Sequence, residues 1–117
     1  MSDLIVPQGA TPQYAAIAAS TSGNNTLVAA VAGKKIRVLG LAVVAGAAGN
    51  IYFTSNNSGT VIFGGSTNTI DLAVNGGFVL PMTPTAVGWF ETTAGQALVM
   101  NASSTGPFSG GVVYITY

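Results

Sequence analysis

Beyond residue 25 the hydrophobic positions fall into short β-rich runs broken by Gly, Asn and Ser, the spacing of a sandwich or barrel rather than of helices. The runs predict strands over 26–32, 35–44, 50–55, 60–63, 69–72, 77–81, 88–92, 97–102 and 108–117. Between them lie turn signals, among them Gly33-Lys34, Asn56 to Gly59 and Asn75-Gly76-Gly77. Gly and Asn accept the positive φ that tight hairpins require.

Alternation is clearest in two runs. Ile36, Val38, Gly40, Ala42 and Val44 are expected to point one way, and Arg37, Leu39, Leu41 and Val43 the other, because side chains alternate across a strand. In the last run Val112, Tyr114 and Thr116 oppose Val113, Ile115 and Tyr117. Both faces of each run are largely apolar, so both strands are expected to be covered on both sides, by an arm or by a neighbouring subunit. The fold class expected is all-β: a jelly-roll-like β-sandwich of about eight antiparallel strands. An immunoglobulin-like sandwich is the second choice.

Residues 1–23 differ from the rest and predict an extended N-terminal arm ahead of a domain over 24–117. Pro7 and Pro12 interrupt regular structure, and Leu4, Ile5 and Val6 form a short apolar anchor. The alternatives for the Ala-rich stretch from Tyr14 to Ala19 are a helical turn or an edge strand.

Composition sharpens this picture. Charged residues are 5% of the 117, against about 25% in ordinary soluble domains, so solvent-facing positions must be filled by Ser, Thr, Asn and Gly, or covered by protein. Three basic and three acidic residues cancel, which leaves no long-range field to attract nucleic acid or an anionic membrane. Neither is expected as a partner. The chain has no Cys and no His, so disulfides, thiolate metal sites and the commonest general base are absent. Neither a secretory signal nor a membrane-spanning run is apparent, and the reading is a soluble protein made in a cytoplasm.

Candidate chemistry is sparse. The acids are Asp3, Asp71 and Glu91, and a paired-carboxylate hydrolase needs two of them roughly 5 to 10 Å apart in a cleft. The competing expectation is that they meet Lys34, Lys35 or Arg37 in surface pairs. Gly33-Lys34 lacks the upstream Gly and following Ser or Thr of a phosphate-binding loop. The chain is expected not to be an enzyme and to need no cofactor, metal or small-molecule substrate. Among the aromatics, Tyr52-Phe53 and Trp89-Phe90 each put one ring inward and one outward; an outward ring serves a subunit interface, or else stacks on a sugar. The candidate subunit-interface residues are Leu39, Leu41, Val43, Trp89 and Tyr114. The candidate contact residues of the arm are Leu4, Ile5, Val6, Pro7 and Tyr14.

Residues 25–40 (NTLVAAVAGKKIRVLG), 75–81 (NGGFVLP) and 88–98 (GWFETTAGQAL) together resemble the jelly-roll head decoration, or cement, proteins of tailed bacteriophages. The resemblance implies a homotrimer seated on the major capsid protein of a phage head, with the N-terminal arm reaching onto capsid subunits. It also implies location in the virion, on the capsid surface, after synthesis in the host bacterial cytoplasm. The alternative is a trimeric tail-fibre or receptor- or carbohydrate-binding tip domain.

Overall fold

The computed structural model describes residues 10–67, 69–83 and 87–117. Every regular element in them is a strand: β1 (Gln13–Ala19), β2 (Gly23–Val28), β3 (Ile36–Ala45), β4 (Gly49–Ser55), β5 (Thr60–Phe63), β6 (Ile70–Leu72), β7 (Gly77–Leu80), β8 (Phe90–Glu91), β9 (Leu98–Ala102) and β10 (Phe108–Thr116). They form two antiparallel sheets. Sheet A runs β1-β10-β3-β7, with β8 also on β3; sheet B runs β2-β9-β4-β5, with β6 also on β4. First pairs with last, second with second-last, and so on inward to β4 with β5, which is the nested ribbon of a jelly roll.

Ten strands occupy eight sheet positions. β5 and β6 share one edge of β4, opposite residues 53–55 and 49–51; β7 and β8 share one edge of β3, opposite residues 41–44 and 37–38. In each case a loop interrupts one edge strand and returns the chain to the same edge. The turn chemistry is as expected, with Asn56 (φ 74) and Asn75 (φ 64) in the left-handed region.

The expected arm is different where it is described. Residues 1–9, and with them Leu4, Ile5, Val6 and Pro7, lie outside the described residues. Gln13–Ala19 is no arm but β1, paired along its whole length with β10, the edge-strand alternative. Ala is a poor strand former in isolation, yet here alternate small side chains, Ala15, Ile17 and Ala19, pack against the core. β2 then begins at Gly23.

A second correction concerns β3. Its pairing with β10 jumps from Gly40 opposite Val113 to Val38 opposite Tyr114, leaving Leu39 as the extra residue of a β-bulge. A bulge inserts one residue and shifts the side-chain phase. Ile36 and Val38 therefore share the core face with Leu41, Val43 and Ala45, and the strand is not apolar on two faces in the way strict alternation implied. Leu41 and Val43 are 4% and 0% exposed and fill this chain's own core, so neither is available to another subunit. Leu39 joins Ile115 in a small second cluster on the outer side, covered by Ala10, Val113 and Tyr117.

The core is filled from both sheets by residues such as Ile17, Phe53, Leu98, Met100 and Phe108. At one edge Phe63 of β5 stacks on Phe90 of β8, centroids 4.8 Å apart, with Phe53 packed against both. Those rings join the two sheets.

Candidate functional site

Pairing partners share a face, so register alone maps the outer side of sheet A. One row reads Tyr14, Val113, Gly40; the next Ala16, Gly111, Ala42, Val79; the third Ala18, Ser109, Val44, Gly77. No charged residue stands in them. The side chains are small over the centre, and larger ones rise at the margins, so Tyr14, Val79, Pro81 and Met82 flank a shallow groove floored by Gly40, Ala42 and Gly111. Gly40 lets the chain leaving β7 pass close by: a Cβ there would stand 3.3 Å from the Leu80 carbonyl oxygen and the Met82 backbone.

Several exposed apolar side chains gather at this face. Tyr14 is 83% exposed, Val79 67% and Val44 48%. Met82, also exposed, lines the groove, and the exposed Val87 and Trp89 stand just ahead of β8. Trp89 closes the base of that stretch, its indole N–H donating to the Pro81 carbonyl at 2.8 Å and its backbone N–H to Val38 at 2.8 Å.

The outer side of sheet B is of another kind. Its rows read Asn24, Asn101, Tyr52, then Thr26, Val99, Thr54, Val61, with Asn50 opposite Asp71. Asn24 Oδ1 accepts from the Ser58 backbone N–H at 3.1 Å and from Asn101 Nδ2 at 3.3 Å, and Asn24 Nδ2 donates to Ser58 Oγ at 3.1 Å. Amides tie the row of Asn24, Asn101 and Tyr52 to Ser58, whereas Val99 and Thr54 in the next row are buried.

The charges of sheet A sit beyond the apolar rows, at the end of β3 and β8. Arg37 Nε donates to Glu91 Oε1 at 2.8 Å, Arg37 Nη2 lies 2.7 Å from the same oxygen, and the Tyr117 hydroxyl donates to it at 2.6 Å. Arg37 also donates to the Tyr117 hydroxyl and lies over its ring, while Lys35 Nζ reaches Glu91 Oε2 at 3.4 Å. Burial pushes the Glu91 carboxyl up, but the Tyr117 hydrogen bond, the Arg37 hydrogen bond and charge, and the Lys35 charge outweigh it, leaving the pKa below its usual 4.5. Burial, and next the hydrogen bond to Glu91, hold the Tyr117 hydroxyl above its usual 10.0. This is a strand-tying ion pair, as expected of Glu91. Asp71 takes its hydrogen bond from Thr69 Oγ1 instead. Asp71 and Glu91 lie on outer sides of different sheets, so the paired-carboxylate arrangement is not assembled.

Of the other sequence candidates, Tyr14 and Trp89 stand on or beside the apolar face. Tyr114 points to the core side of β10, half-buried, with its hydroxyl donating to Gln13 Oε1 at 3.1 Å. Ala42, Gly111, Val113 and Val79 escaped sequence reading, because strict alternation through the bulge assigned Leu41 and Val43 to the outer side in place of Ala42. The visible clue was Gly40, since an isolated Gly inside a strand pattern marks a bulge or a close backbone approach.

No family model matches the sequence, and no curated protein matches it. Among solved structures, a chain described as "Cyanophage Pam1 capsid asymmetric unit" is similar over 93% of this chain and 84% of that one, at 15% identity and a TM-score of 0.44. A likeness at that level assigns no role.

Proposed function

We propose that this chain is a non-catalytic structural protein of a bacteriophage virion, a decoration protein that seats as a homotrimer on the major capsid protein and stabilises the head shell. The observation that carries the reading is the uncharged apolar outer face of sheet A, a surface built for protein contact on the jelly roll that the sequence resemblance led us to expect. Weak contacts repeated over a shell reach high avidity without any single strong site. Residues 1–9, with the anchor Leu4, Ile5 and Val6, supply the capsid contact in this reading, and Tyr14 lies where they join the domain. The protein is then located on the capsid surface after synthesis in the host cytoplasm.

The test is co-sedimentation of purified protein with undecorated heads of the phage that encodes it. Full-length protein is expected to bind; removal of residues 1–9, which spares β1, is expected to abolish binding with the fold intact. Heads that ignore the full-length protein overturn the reading, and retained binding by the truncated form overturns the role of the arm.

One observation favours a second reading, a carbohydrate-binding tip. Tyr52 lies on the wet side of sheet B in the same row as Asn24 and Asn101, a ring among hydrogen-bonding amides. Glycan-array binding lost in Tyr52→Ala, with unchanged circular dichroism, is the result that reading requires.

A further inference from the structure

We infer that the outer face of sheet A is the contact between copies of this chain, with a second copy lying across Tyr14, Ala42, Gly111, Val113 and Val79. The inference rests on the homo-oligomeric part of the proposed function and names the surface that part requires.

Charge selects the occupant. The chain carries six charged side chains, and of these Lys35 and Arg37 are both paired with Glu91 at the far end of the sheet. The apolar rows carry none. A partner with an ordinary surface, about one-quarter charged, brings charges that lose water here and find no counter-charge, a cost of several kcal/mol for each one buried. A second copy brings an equally uncharged face. Identical surfaces without charge meet without like-charge repulsion, and rows of Gly and Ala let backbones approach closely.

Area sets how far such a contact must reach. Four strands about 4.8 Å apart, over some five or six residues at about 3.3 Å each, present on the order of 350 Å². That is the size of a functional apolar patch, short of the roughly 800 Å² per partner of a standard interface. The contact must therefore extend past the rows, and exposed apolar side chains continue there: Met82, with Trp89 bonded to Pro81, on the β7 border and Tyr14 on the β1 border. β1 adds an outer strand, seven residues without charge or Pro, lacking the devices that keep edges from pairing.

The experiment measures molar mass by light scattering on size-exclusion eluates of the full chain and its variants at micromolar concentration. Wild type is expected as an oligomer, and Asn50→Glu on the opposite face is expected to leave it so. Val79→Glu, and separately Tyr14→Ser, both at positions exposed in the single chain, are expected to shift the protein at least tenfold toward monomer with unchanged circular dichroism. Removal of residues 1–9 is expected to leave the oligomer intact. A monomeric wild type, an oligomer indifferent to both face variants, or dissociation on removing residues 1–9 each overturns the inference. The last of these assigns the face to the chain's own N-terminal segment, and a monomer that still binds heads assigns it to the capsid; head binding is measured separately, so the proposed function stands or falls by itself.

Discussion

The two outer faces of this sandwich are made by strands of similar length that share one core, yet they meet water differently. On sheet B the outward positions hold Asn24, Asn50, Tyr52, Asn101 and Asp71; on sheet A the equivalent positions hold Ala16, Ala42, Val79, Gly111 and Val113. A chain this poor in charge keeps the exposed part of one face wet with amides, hydroxyls and the single carboxylate of Asp71. The dry face is therefore not a by-product of a composition short of polar groups, because Asn, Ser and Thr were available and went to the other side. That difference between the two sheets is what the proposed contact between copies rests on.

The largest effect that breaks the comparison lies in the seam between β10 and β3. Gly110 and Gly111 are neighbours on β10 with different room beside them. Gly110 has φ 150, and a Cβ on it would stand 1.9 Å from the Ala42 carbonyl oxygen, whereas the nearest atom to a Cβ on Gly111 is 3.5 Å away. Gly110→Ala is expected to lower stability by about 3 kcal/mol through forced separation of β10 from β3, and Gly111→Ala by no more than about 0.5 kcal/mol. Urea unfolding of the pair measures this, and similar midpoints for the two refute the tight seam.

A smaller effect sharpens the boundary between the charged end of sheet A and its apolar rows. Glu91→Gln is expected to cost about 1 kcal/mol at neutral pH, since it weakens charge-assisted bonds from Arg37 and Tyr117 that are partly open to water. The folded-state pKa of Glu91 lies below 4.5, so its contribution is present above that value and is lost as pH falls through the folded pKa. The Tyr117 hydroxyl, raised above 10.0, contributes below that value and loses its contribution as pH rises through the folded pKa. Thermal melts from pH 3 to 7 should therefore show the wild type converging on Glu91→Gln in acid; a constant gap contradicts the assignment.

The smallest effect belongs to the wet face. Asn24→Ala removes bonds to Ser58 and Asn101, all exposed, and is expected to cost about 0.5 kcal/mol with no change in molar mass. A change in assembly on this substitution removes the distinction between the faces.

The sequence was legible where chemistry is local. Nine of the strands were placed within a few residues, because Asn56, Asn75 and Gly33 carry turn signals that act over four residues. β1 was hidden because Tyr14 to Ala19 holds four Ala and follows Pro7 and Pro12, with Ile17 its single β-branched residue; what makes it a strand is β10, far along the chain. The dry face was legible as an excess of apolar residues in 35–44 but assigned to the wrong side chains. The bulge at Leu39 depends on how β3 and β10 register, and nothing local announces it beyond Gly40.

The nested pairing also sets an order of events. β4 and β5 are joined by a short turn and can meet as soon as both are made, whereas Gln13 and Tyr114, which hydrogen-bond across β1 and β10, are 101 positions apart. Long-range antiparallel pairing is slow because loop closure must precede its reward. The ribbon then closes from the middle outward, and its last pair forms only after the final strand has left the ribosome. The apolar rows are shared by β1, β10, β3 and β7, so the face does not exist until that moment. A nascent chain cannot stick to its neighbours through a surface it has not yet formed.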